Sequence, residues 1–203
     1  MAYASWSVVF GEQPSASKWN ILGTNDSYFN TQVGSNFSLG TTSTVWWEEL
    51  GRTTLGSSGD TITLSSLAAR KYLLVIFSLI NSGSIDGLLT FNNDSANNYA
   101  IRLSTNGAAD TTSTSRANWS LVPTTGSFLI FGTINILNIS TSEKIGIINT
   151  MGANTAGAGN APERRESVGK WANTSSQISR IDINNSSGGS FDTGSQIIVL
   201  GHD

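Results

Sequence analysis

Pro162–Leu200 reads as three successive strands joined by turn residues, and strands of that kind need partners upstream in the chain. Arg164–Ala172 alternates, with Arg165, Ser167, Gly169 and Trp171 on one face and Glu166, Val168, Lys170 and Ala172 on the other. Ile178–Ile183 places Ile181 and Ile183 on a common face. Gln196–Leu200 is a short apolar run of the sort buried on both faces. The connectors Asn173–Ser176 and Asn184–Gly194 are rich in Asn, Ser and Gly, which favour turns.

Upstream segments supply candidate partners. Lys71–Ile80 (KYLLVIFSLI) is the strongest strand and is expected to be central, with a shorter one at Thr61–Leu64 and a turn at Ser65–Ala69. Gly87–Phe91 and Asn98–Leu103 read as a pair joined by the polar loop Asn92–Asn97. Ala108–Trp119, rich in Thr and Ser, suits a solvated edge. Phe128–Ile139 alternates, with Phe128, Ile130, Ile134 and Ile136 on one face, and a tight turn at Ser140–Glu143 makes a hairpin with Lys144–Met151.

No window sustains apolar residues at helical spacing, no repeat period is present, and all three prolines fall outside the best strand runs. The sum is about nine or ten strands in an all-β chain, read as a two-sheet antiparallel sandwich of jelly-roll type. The domain is expected over residues 46–203. Residues 1–45 would hold a first strand at Ser5–Phe10, an irregular arm at Glu12–Phe29 and a polar linker at Thr31–Thr44. Trp19, Ile21, Leu22, Tyr28 and Phe29 give the arm apolar side chains that must be buried, either against its own sandwich or on a neighbouring subunit. The adjacent Trp46 and Trp47 are expected on opposite faces of a strand, one entering the core and the other needing a cover, partner or ligand.

Composition narrows the functional classes. A net charge of −3 argues against nucleic acid, and the basic pair Arg164-Arg165 is flanked by Glu163 and Glu166. There is no cysteine for a disulfide or thiolate site. The longest apolar run, Tyr72–Phe77, is too short to span a membrane, and Met1–Phe10 lacks the features of a signal peptide. The only histidine, His202, sits beside the C-terminus, where chains usually fray, so it is a poor catalytic base. Glu48 and Glu49 are adjacent and would diverge on a strand. Asn92–Asn98 carries oxygen ligands but lacks the central Gly and terminal Glu of a calcium loop, so a turn held by Asn and Asp side chains is the better reading. No catalytic residue, cofactor or metal site is assigned. Trp19, Trp46, Trp47, Trp119 and Trp171 are candidates for core or interface filling, with a sugar platform as the other use of such rings. Only 12% of residues are charged, and the surplus of aromatics suits a surface that packs against protein.

Four segments, Glu12–Asn30, Trp46–Leu55, Leu88–Asn106 and Gly157–Leu200, together with Ala69–Leu73, resemble virion proteins of tailed bacteriophages. The resemblance implies a non-enzymatic virion structural protein, made in the host cytoplasm without a signal peptide. It implies either a capsid decoration (cement) protein on the head exterior or a tail fibre that recognises host surface glycans. The implied partners are further copies in a homotrimer and other virion proteins such as the major capsid protein, with no nucleic acid and no membrane insertion. In the receptor-binding case, loops such as Asn92–Asn97 and Gly152–Ala161 would line a sugar site. A secreted lectin-like module or glycan hydrolase is the third reading.

Overall fold

The computed structural model describes residues 46–81, 83–121, 129–153 and 155–203, all within one unit of the chain, Val45–Asp203. The expected strand at Ser5–Phe10, the arm with Trp19, Ile21, Leu22, Tyr28 and Phe29, and the linker Thr31–Thr44 lie outside the described residues.

The described residues are all-β. Their strands are β1 (Glu48–Thr54), β2 (Thr61–Ser65), β3 (Tyr72–Leu79), β4 (Gly87–Phe91), β5 (Tyr99–Thr105), β6 (Thr111–Arg116), β7 (Trp119–Ser120), β8 (Ile130–Leu137), β9 (Lys144–Gly152), β10 (Glu163–Trp171), β11 (Arg180–Asn185) and β12 (Gln196–His202). They form two antiparallel sheets. The larger has eight strands in the order β1-β12-β3-β8-β9-β10-β5-β6, and the smaller has four in the order β2-β11-β4-β7.

Period-two alternation explains the core. Leu73, Val75, Phe77 and Leu79 of β3 and Ile197 and Val199 of β12 point inward from the large sheet. Ile62, Leu89, Phe91, Ile181 and Ile183 meet them from the small one. Fully burying side chains of this size stabilises the fold by about 1.5–3 kcal/mol each. The Phe128–Ile139 alternation holds over its described part, with Ile130, Ile134 and Ile136 inside, and β8 and β9 form the expected hairpin.

Four expectations need correction. Gly87–Phe91 and Asn98–Leu103 do not pair: β4 lies in the small sheet and β5 in the large one. The loop between them therefore crosses from sheet to sheet. Tyr99 fixes the crossing, because its hydroxyl accepts from the Phe91 amide at 2.9 Å and donates to the Asp94 carbonyl at 3.0 Å. Ala108–Trp119 is likewise divided, into the exposed edge strand β6 and the short β7, whose Trp119 is fully buried in the other sheet. Gln196–Leu200 is buried on one face only, since Ile198 and Leu200 on the other are half-exposed. Neither Trp46 nor Trp47 enters the core; they precede β1 and stay 70% and 44% exposed.

Two glycines set how closely the sheets approach. Trp119 lies over Gly146 of β9 and Gly169 of β10, and a Cβ built on Gly169 would stand 2.4 Å from the Trp119 ring. The indole NH donates to the Lys170 carbonyl at 3.1 Å, so the ring is both packed and hydrogen-bonded. Phe91 meets Trp119 edge-on with centroids 4.9 Å apart, and Trp171 stacks on Tyr99 at 6.2 Å.

Candidate assembly face

The side of the large sheet that points away from the small one carries the unusual surface. Because side chains alternate, the strand registers arrange it in transverse rows. The first row runs His202, Tyr72, Leu137, Ile145, Lys170 and Ala100 across β12, β3, β8, β9, β10 and β5. Trp47 extends it beyond β12, its ring 6.0 Å from that of His202, which in turn lies 6.4 Å from Tyr72. The second row runs Glu49, Leu200, Leu74, Asn135, Ile147, Val168, Arg102 and Thr112. The third begins at Arg52 and continues through Ile198, Ile76, Thr133, Asn149 and Glu166. The fourth includes Gln196, Ser78, Phe131, Met151 and Arg164.

Much of this face is apolar, although Asn135, Thr133 and Asn149 interrupt it on the two central strands. Of ten large apolar side chains left exposed among the described residues, seven lie here: Trp47, Tyr72, Phe131, Ile145, Ile147, Met151 and Val168. Ile145, Ile147 and Val168 are each more than half exposed, at 52%, 54% and 51%. Single exposed apolar residues are ordinary, but Ile145, Ile147 and Val168 lie side by side, a grouping typical of sites that bind protein, membrane or ligand. The parts of the first two rows on β3, β8, β9, β10 and β5, without Leu74, line an open groove of about 680 Å³, which runs from Trp47 at one end to Thr112 and Thr114 of β6 at the other. Its lining is overwhelmingly apolar.

Charges sit at the rim, already paired. Arg52 grips Glu49 through two hydrogen bonds of 2.7 and 2.6 Å, which hold the Glu49 carboxyl below its usual range. Residues three apart on a regular strand face opposite ways; here the bulge between Glu49 and Gly51 brings both outward. On the far side Lys170 meets Glu143 at 3.1 Å, Arg164 meets Glu166 at 3.1 Å and Arg102 meets Asp110 at 3.5 Å.

The other residues singled out from sequence take structural roles. Trp119 and Trp171 are core. Asn92–Asn97 is a turn in which Asp94 accepts from the Ala96 amide and from Trp171 Nε1 at 2.7 Å, while Asn92 Oδ1 accepts from the Ser179 and Arg180 amides. Asn92 and Asn93 take left-handed φ values of 51° and 59°, which Asn tolerates. Glu48 and Glu49 do diverge, to Arg70 and Arg52 respectively. Among the described residues, no group of three His, Cys, Asp or Glu side chains could hold a metal ion.

Sequence reasoning missed His202. It is the last residue of β12 rather than frayed, paired with Tyr72 and ringed by Trp47. It also missed the outward faces of β9 and β10, where the apolar half of the alternation turns away from the core. No family model, curated protein or solved structure matches the chain.

Proposed function

We propose that this chain is a non-enzymatic structural protein that works by assembly through the outer face of its large sheet. In the setting implied by the segment resemblance, it is a decoration protein on the head exterior of a tailed-phage virion. The observation that carries the assembly reading is the concentration of exposed apolar side chains on that face, seven of the ten among the described residues, bounded by paired charges. Leaving such a surface in water forgoes about 25 cal/mol for every Å² that a partner would cover.

The strand order supports a jelly-roll form of the sandwich. With β5, β6, β9 and β10 set aside, two four-stranded sheets remain, β1-β12-β3-β8 and β2-β11-β4-β7. The pairs β1·β12, β2·β11, β3·β8 and β4·β7 are then successive steps of one long antiparallel ribbon wound on itself. The four remaining strands widen one sheet, and five of the seven exposed apolar side chains of its outer face lie on β9, β10 and the adjoining β8.

The test is binding to phage heads that lack the protein. Wild-type chain is expected to bind saturably and Ile147→Lys to bind at least roughly tenfold more weakly. Heads that never bind the wild-type chain sink the decoration reading. A receptor-binding reading is favoured by one observation, the surface ring series of exposed Trp47 and Tyr72 with half-buried His202 between them. It requires binding to host cells that free saccharide competes away and that Trp47→Ala weakens.

A further inference from the structure

We infer that the partner covering the outer face of the large sheet is a second copy of the same chain, packed sheet to sheet about a two-fold axis. The inference rests on the reading that this face is covered by protein, and names the occupant.

Size is the first ground. Eight strands spaced at ~4.8 Å span ~34 Å, and four side-chain rows cover ~20 Å along them, so the face offers ~700 Å² in projection. That is close to the ~800 Å² each partner contributes to an interface of standard size.

Self-complementarity is the second. A two-fold axis running along the strands between β8 and β9 keeps each row opposite itself and exchanges the two ends of the sheet. Leu137 then meets Ile145 of the other copy, and Phe131 meets Met151. Leu74 comes opposite Val168, since β3 and β10 lie equally far from the axis. Tyr72 comes opposite Lys170, whose charge Glu143 already neutralises at 3.1 Å. At the margins Arg52 of β1 faces the β6 end, where Asp110 lies.

Charge balance is the third. An isologous interface sets each patch against its own copy, so a rim of one sign would repel itself. Here Arg52, Arg102, Arg164 and Lys170 are matched by Glu49, Asp110, Glu166 and Glu143. A polysaccharide would find few hydrogen-bonding groups in the groove between the margins. A strongly acidic or basic partner would find these rim charges already paired.

The experiment is the solution mass of the full chain, by sedimentation or light scattering, beside two kinds of variant. The wild-type chain is expected at twice its 21.5 kDa, and Ile147→Lys at the monomer mass with an unchanged circular dichroism spectrum. Asn149→Cys, near the axis on β9, puts one cysteine in a chain that has none, so a short thiol-reactive cross-linker is expected to join two copies. Ser65→Cys, at the exposed edge of the small sheet, is expected to give no cross-linked pair. This second route keeps the test decisive should Ile147→Lys not fold. A wild-type monomer at all concentrations overturns the pairing, as does a trimer or larger assembly whose mass ignores Ile147→Lys. A monomer that still binds heads through Ile147 overturns the pairing and leaves the assembly reading standing. Pairs that bind no head leave the pairing standing and remove the decoration reading.

Discussion

Trp119 occupies the space that a side chain on Gly169 would need: a Cβ there would lie 2.4 Å from Cε2 of the indole. The missing side chain lets β7 and the small sheet close onto the extension of the large one. Gly169→Val is therefore expected to destabilise the domain by about 1–3 kcal/mol or more, the usual range for overpacking a filled core. Chemical denaturation measures it, and a midpoint equal to wild type would mean that Trp119 moves aside freely.

Asp94 ties the sheet-crossing turn to the core. Burial alone would raise its carboxyl, but donors from Asn98, Trp171 and the Ala96 amide outweigh it and hold the group below the usual aspartate range. A carboxyl lowered by folding contributes stability above its unfolded value, about pH 4, and loses it as pH falls through the folded value. Asp94→Asn is expected to cost about 1–3 kcal/mol at neutral pH. Its stability is also expected to fall less steeply than wild type below about pH 4. Parallel acid profiles for the two chains would refute the assignment.

Lys144 is fully buried, with its ammonium donating to the carbonyls of Ser140 and Ser142 in the β8–β9 turn and of Asn173 after β10. The ring of Trp171 lies 5.7 Å from it. Removing the donor leaves carbonyls unpaired, so Lys144→Met is expected to lower stability by about 1–3 kcal/mol. Thermal unfolding decides; an unchanged or raised midpoint would show that desolvation of the charge cancels its hydrogen bonds, as occurs at some buried ions.

Ile147→Lys probes the opposite face of the same strand. Its side chain is more than half exposed, at 54%, so the isolated domain is expected to change by no more than about 0.5 kcal/mol. Loss of assembly without loss of fold separates a docking residue from a core residue. Calorimetry showing a large destabilisation would place Ile147 in the second class.

Much of the fold was legible. The β8–β9 hairpin, the interior position of β3 and the turns after β10 and β11 follow from alternation and from where Asn, Ser and Gly cluster. Partnership was less so, because alternation tells which residues share a face and not which strand lies beside them. That is why Gly87–Phe91 and Asn98–Leu103 read as a pair although Tyr99 and Asp94 carry the chain across to the other sheet. The apolar outer face was hidden for a sharper reason. In β9 a hydrophobicity rule puts Ile145, Ile147 and Met151 inside, yet the core takes Lys144, Gly146, Ile148 and Thr150. Trp119 needs the room above Gly146, and Lys144 finds three carbonyls, so tertiary fit overrides the local pattern. Glycines at facing positions of neighbouring strands, Gly146 and Gly169, were the one available signal.

The nesting of strand pairs also dictates when the domain can form. β12 lies between β1 and β3, so two strands from the front of the domain wait for Gln196–His202 before either is hydrogen-bonded on that side. During synthesis the large sheet stays open until those residues leave the ribosome, and contacts this distant in sequence place refolding in the slow regime of milliseconds to seconds. A ribosome-tethered chain ending before Gln196 should be digested rapidly by protease; resistance equal to that of the full chain would show that the sheet can close without its last strand.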